Sequence, residues 1–94
     1  MKDSGKKDIY KSSFTKSFSS IYVRFNEDIK KIVDESIDKI CEFPERGKPL
    51  RHFKNIRSKR VGVLRIIYTI ENDKVIFLVI GHRKTVYKDL EKFF

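Results

Sequence analysis

Gly62-Val63-Leu64-Arg65-Ile66-Ile67-Tyr68-Thr69-Ile70, then Glu71-Asn72-Asp73, then Lys74-Val75-Ile76-Phe77-Leu78-Val79-Ile80, is the stretch that decides the fold. Two runs rich in β-branched and aromatic residues flank three turn formers, which predicts a hairpin with strands over 63–70 and 74–80. Both faces of these strands are apolar, as suits central positions covered on one side by the helices. Upstream, 53–61 reads as a basic strand, and the short connections make the three an antiparallel meander. Alternation puts Arg65 on one face with Val63, Ile67 and Thr69, and puts Leu64, Ile66, Tyr68 and Ile70 on the other. If the second set meets the helices, Arg65 emerges on the open face of the sheet. In the basic strand Arg57 and Lys59 share one face, Ser58 and Arg60 the other. A slip of one residue in register would reverse the faces.

Working outward, Asn26-Glu27-Asp28 marks a helix start: Asn caps orphan amides and carboxylates favour the positive end of the helix dipole. Ile29, Ile32, Val33, Ile37, Ile40 and Cys41 then recur at three and four residues and define an inward face. Pro44, Gly47 and Pro49 end this helix and begin a loop. Before it, Phe14, Phe18, Ile21, Tyr22 and Phe25 fall at helical spacing, and 9–14 alternates as a short strand. A terminal helix carries Asp89 and Glu91. The expectation is an α+β domain over 9–94, a small antiparallel sheet with two N-terminal helices packed on one face and a short C-terminal helix. Residues 1–8 read as a flexible tail.

Charge is unevenly shared in this 94-residue chain of net charge +9. Residues 1–43 hold nine Lys/Arg against eight Asp/Glu, whereas 44–94 hold thirteen against five. Between Arg46 and Arg65 eight cations occur with no carboxylate among them. Such a half concentrates polyanions near itself and points to a phosphate-rich partner. Cys41 is the one cysteine, so no internal disulfide or thiolate zinc cluster can form within the chain; a buried, inert thiol in a reducing cytoplasm is expected. No apolar run approaches the roughly 20 residues of a membrane span, and residues 1–8 lack the apolar core of a secretory signal. The distant His52 and His82 do not make a metal set, and no cofactor is expected.

The segment from Gly62 to Tyr68, followed by a turn, an apolar strand and Gly81-His82-Arg83-Lys84-Thr85-Val86-Tyr87, resembles the RelE branch of the RelE/ParE toxin superfamily. The resemblance covers roughly residues 14 to 92 in element order. It implies the toxin of a type II toxin–antitoxin pair, which enters the ribosomal A site and cuts messenger RNA without metal. It also implies a monomer alone and a hetero-oligomer with a RelB-like antitoxin. Arg65 resembles the family's central-strand arginine at the scissile phosphate, Arg83 its second catalytic arginine, and Tyr87 its tyrosine near the carboxyl end. Lys54, Arg57, Lys59 and Arg60 compete for the places of the family's paired lysines. Lys59 is grouped with the catalytic set, and Lys54, Arg57, Arg60, His82 and Lys84 with RNA contact.

That chemistry accounts for the residue types. A 2′ oxygen attacks the adjacent phosphorus, charge builds on the phosphoryl oxygens, and fixed guanidinium donors stabilise it while staying protonated. Quieter readings stand beside it. Arg83 and Lys84 would balance Asp89 and Glu91, His82 would hydrogen-bond at a strand end, and Tyr87 would be a core aromatic beneath Leu90, Phe93 and Phe94. Two other functions share the features: a ParE-like gyrase poison, which needs neither Arg83 nor Tyr87, and an RNA-binding module without catalysis. An antitoxin segment for the basic half would carry acidic residues and apolar anchors.

Overall fold

A computed structural model describes residues 9–93; the tail expected over 1–8 lies outside the described residues. The elements run β1 (Lys11–Phe14), α1 (Lys16–Tyr22), α2 (Glu27–Glu42), a 3-10 turn (Pro44–Arg46), β2 (Lys48–Pro49), β3 (Ile56–Val61), β4 (Leu64–Glu71), β5 (Lys74–His82), α3 (Arg83–Leu90) and a closing 3-10 turn (Glu91–Phe93). The α+β class is as expected.

The sheet has five strands in the order β1-β5-β4-β3-β2. The meander β3-β4-β5 is antiparallel, whereas β1 joins the edge parallel to β5, with Lys11 opposite Lys74 and Phe14 opposite Phe77. A parallel neighbour needs a long crossover, and α1 and α2 supply it. The basic strand is shorter than its expected span of 53–61. Asn55 takes a positive φ of 64° and turns the chain before Ile56, so Phe53 and Lys54 lie in a turn. Part of the segment expected as loop pairs instead, Lys48 opposite Ser58 and Pro49 opposite Arg57.

The two N-terminal helices each start at a side-chain cap. Asn26 accepts a hydrogen bond from the Ile29 amide at 2.9 Å, and Glu27 and Asp28 follow in the first turn. Thr15 does two jobs: its Oγ1 accepts from the Phe18 amide at 3.1 Å and donates to the Leu78 carbonyl at 2.6 Å, fixing α1 to β5. The inward face of α2 is narrower than the expected set. Val33, Ile40 and Cys41 are buried and Ile29 and Ile37 partly so, but Ile32 is 48% exposed, because it lies off the Ile29–Val33–Ile37 row. Burial pushes the Cys41 thiol pKa up, consistent with the inert role expected for it.

Two clusters sit on opposite faces. Under α1 and α2, Phe18, Val33, Ile40, Ile66, Tyr68, Val75, Phe77 and Ile80 interlock, and Tyr68 donates to the Pro44 carbonyl at 2.6 Å. Arg57 donates to the Glu45 and Gly47 carbonyls, holding the 44–47 segment beside Tyr68. A side chain on Gly47 would collide with the Tyr68 hydroxyl, so glycine is required there. The other cluster, Ile56, Ile67, Leu78, Val79, Val86 and Leu90, lies under α3. A register shift next to Tyr68 leaves Leu78 as an extra residue in β5, so Phe77 and Ile80 face one side while Leu78 and Val79 face the other.

Candidate active site

The hairpin joining β3 to β4 sets the site. Val61 pairs with Leu64 across a two-residue turn in which Gly62 takes φ 62°, a conformation that favours glycine. That pairing puts Arg60 directly opposite Arg65, and Arg65 in turn opposite Gly81 of β5. Opposed residues share a face, so Arg60 and Arg65 project together on the side of α3, and Gly81, on the far side of Arg65, adds no side chain to that face. β5 ends at His82 and α3 begins at Arg83, which brings the third guanidinium to the same corner.

Arg60, Gly62, Val63, Leu64, Arg65 and Arg83 line one open hollow of about 270 Å³. No carboxylate lines it. Arg60 is held by its Nε, which donates to the Gly62 carbonyl at 3.2 Å. Among the described residues neither Arg65 nor Arg83 forms an ion pair; the described pairs are Lys11–Asp73, Lys30–Glu27 and Lys92–Asp89. The Asp89 partner weighed for Arg83 is thus taken by Lys92. Three like charges around one concavity repel one another unless an anion lies between them, and guanidinium forks suit the oxygens of a phosphodiester.

Tyr87 follows Arg83 by one helical turn, and the i, i+4 relation puts both on one side of α3. Its ring is half-buried against the aliphatic cluster and is not among the lining residues of the hollow. Lys59 is not brought to this corner. It pairs with Ile66 and so faces the helix side, because Arg60 holds the place opposite Arg65. Arg57 shares the face of Lys59 and its guanidinium ties down the 44–47 segment. Lys54 is exposed in the turn before β3. His82 and Lys84 are exposed on either side of Arg83 but do not line the hollow. Val63, 72% exposed at the hairpin tip, lines it and was not among the sequence candidates. Among the described residues no group of three His, Cys, Asp or Glu gathers that could hold a metal, and no helix is long and apolar enough to cross a membrane.

A five-stranded, mostly antiparallel sheet with paired N-terminal helices defines a RelE-like toxin fold. The chain belongs to the family described as ParE toxin of type II toxin–antitoxin system, whose sequence profile matches residues 9–87, and so to the RelE/ParE superfamily. Among solved structures it is similar to the toxin–antitoxin complex RelBE2 from Mycobacterium tuberculosis, at 29% identity and TM-score 0.73, over 83% of this chain and 95% of that one. A double arginine-to-alanine mutant of the Escherichia coli toxin RelE, in the free state, matches at 16% identity and TM-score 0.78 over 92% and 98% of the two chains. The RelB–RelE complex from Methanococcus jannaschii matches at 25% identity and TM-score 0.59 over 81% and 95%. No curated protein matches. The protein is therefore a toxin of a type II toxin–antitoxin system.

Proposed function

We propose that this toxin is a messenger-RNA endoribonuclease acting in the ribosomal A site of the cytoplasm, with Arg65 and Arg83 as the principal catalytic residues. The observation that carries the reading is the convergence of Arg60, Arg65 and Arg83 on one hollow that no carboxylate lines. A phosphodiester seated there has guanidinium donors on its non-bridging oxygens. The 2′ oxygen attacks phosphorus as its proton leaves, and a cyclic phosphate forms. The bond to the 5′ oxygen breaks, and that oxygen departs with a proton. Charge on the phosphoryl oxygens rises in the transition state, where fixed donors act most strongly. Arg60 supplies a third donor held against the hairpin turn. Tyr87, one turn past Arg83, supports the base beside the scissile bond or relays a proton. No step here is assigned to a metal.

An antitoxin is the expected partner, since similar solved toxins are bound to RelB. Its segment would be acidic with apolar anchors, complementary to the basic half. A second reading, a gyrase poison, draws support from the ParE description of the matching family. A translating lysate separates them. Wild type is expected to give codon-positioned cuts in the message, with Arg65→Ala and Arg83→Ala lowering the cutting rate about 10²- to 10³-fold and Tyr87→Phe lowering it less. Intact messages together with trapped gyrase would replace the nuclease reading by the second. RNA retained without cuts would leave a binding module.

A further inference from the structure

A second cavity, larger than the arginine hollow, lies elsewhere. Between the end of α2, the 44–46 turn and β3 is an open cleft of about 540 Å³. Lys39, Arg46, Lys48, Lys59 and Arg60 line it, against the one carboxylate of Glu42. None of the five forms an ion pair among the described residues. Lys39 has a local explanation, since cations favour the negative end of a helix. Arg60 is tied to the Gly62 carbonyl and Arg46 to the Phe43 ring, but neither contact neutralises charge, and like charges gathered in a concavity are disfavoured without a counter-ion.

Two details indicate what fits. Arg46 lies over the Phe43 ring with its guanidinium carbon 4.1 Å from the centroid, presenting a flat cationic surface of the kind on which nucleobases stack. Arg60 lines this cleft and also the Arg65–Arg83 hollow. The two cavities therefore meet at one residue, on either side of β3 beyond the point where the two-residue β2 stops covering its edge. We propose that the cleft is a second single-stranded RNA subsite, reached around the open edge of β3, which holds the phosphates and a stacked base of the strand flanking the one in the hollow. Lys59 then contacts flanking phosphates and takes no part in the cleavage step. The inference rests on the nuclease reading for the identity of the strand, and it adds a second contact zone to it.

The test uses the full chain and RNA in the absence of ribosomes. Affinities for a tetranucleotide and for a strand of about twelve nucleotides, within the span of known single-strand sites, are measured against salt. The triple variant Lys39→Ala/Lys48→Ala/Lys59→Ala is compared with Lys16→Ala/Arg24→Ala/Lys31→Ala, which removes the same charge from exposed positions on α1, α2 and the turn between them. For the first, binding of the long strand is expected to fall on the order of tenfold or more, and its slope of log affinity against log salt to flatten by about 2, at about 0.7 per lost phosphate contact. Tetranucleotide binding, made in the hollow, is expected to stay. Equal losses in both triple variants would reduce the cleft to general charge and overturn the proposal. Long-strand binding unchanged in the first variant would overturn it while wild-type cutting in lysate kept the nuclease reading. A wild type that holds the long strand through the cleft but makes no cuts would sink the nuclease reading and keep the subsite. Failure of wild type to bind RNA at all would overturn the subsite, while codon-positioned cuts in lysate would still keep the nuclease reading.

Discussion

The two faces of the sheet are built from different materials. Under α1 and α2 the packing is aromatic: Phe18 and Phe77 lie 5.7 Å apart between ring centroids, Tyr68 and Phe77 6.1 Å, and Phe14 stacks on Phe77 at 5.1 Å. Under α3 the buried cluster is aliphatic and is covered by a helix of eight residues. That short cover leaves the β3–β4 hairpin bare, and there Arg60, Arg65 and Arg83 converge. Three guanidinium groups in one hollow that no carboxylate lines oppose folding through mutual repulsion. A sheet can carry them on one side when the other side supplies the stability, and this division of labour is what the contrast teaches.

The sharpest way to break that contrast is Phe77→Ala. Phe77 is fully buried and contacts three other rings, so its truncation is expected to cost about 3 to 5 kcal/mol. Urea unfolding would show a lower midpoint at an unchanged slope. A loss under about 1 kcal/mol, the level of an ordinary surface or peripheral change, would mean the aromatic face is not the stabilising one. Arg65→Ala probes the other side. Cutting in lysate is expected to fall by about 2.7 to 4 kcal/mol of transition-state stabilisation, while the unfolding midpoint holds or rises as one of three repelling charges is removed. A drop in both together would make Arg65 structural.

The same contrast explains what was legible in the sequence. Elements with a strong period or a cap were read close to their observed bounds: α2 from Asn26, and the two apolar strands of the β4–β5 hairpin. The resemblance then pointed to Arg65 and Arg83, and the structure brings them to one hollow. Lys59 was grouped with them although Lys54, Arg57 and Arg60 competed for the same place and the spacing to Arg65 favoured none of the four. A hairpin needs two turn residues, and counting Gly62-Val63 as that turn makes Arg60 the neighbour of Arg65. That signal was present in the chain. The parallel pairing of β1 was not, because four mostly polar residues show no preference for a partner strand. The cover over the aliphatic face was also hidden: Val86 and Leu90 are helical neighbours in sequence, but nothing local says which face of the sheet receives them.

Leu90 sharpens the comparison, since it is fully buried on the thin side and anchors the helix that carries Arg83. Leu90→Ala is expected to cost about 2 to 3 kcal/mol, in the lower part of the range for such truncations, because the exposed end of α3 can settle into the space. Unlike Phe77→Ala studied under conditions where both variants stay folded, it should also slow cutting, as a loosened α3 displaces Arg83. Equal cutting rates in the two folded variants would detach α3 docking from the site.

The smallest effect expected lies on the outside of the aromatic face, where Tyr22 at the end of α1 donates to Asp34 of α2 at 2.7 Å. The hydrogen bond to that carboxylate, helped by burial and by the charges of Asp34 and Glu27, pushes the Tyr22 pKa up to about 12. An unfolded phenol titrates near 10. The native state therefore keeps a proton that the unfolded chain has lost, and stability falls as pH rises through this window. Below about pH 10 the contribution is complete; between about 10 and 12 it disappears. Tyr22→Phe has no phenol to titrate there. Its stability difference from wild type, followed by denaturant unfolding at stepped pH, should stay flat up to about 10 and shift in favour of the variant above it. A difference that holds constant through the alkaline range would mean the Tyr22–Asp34 bond does not join the two helices in solution.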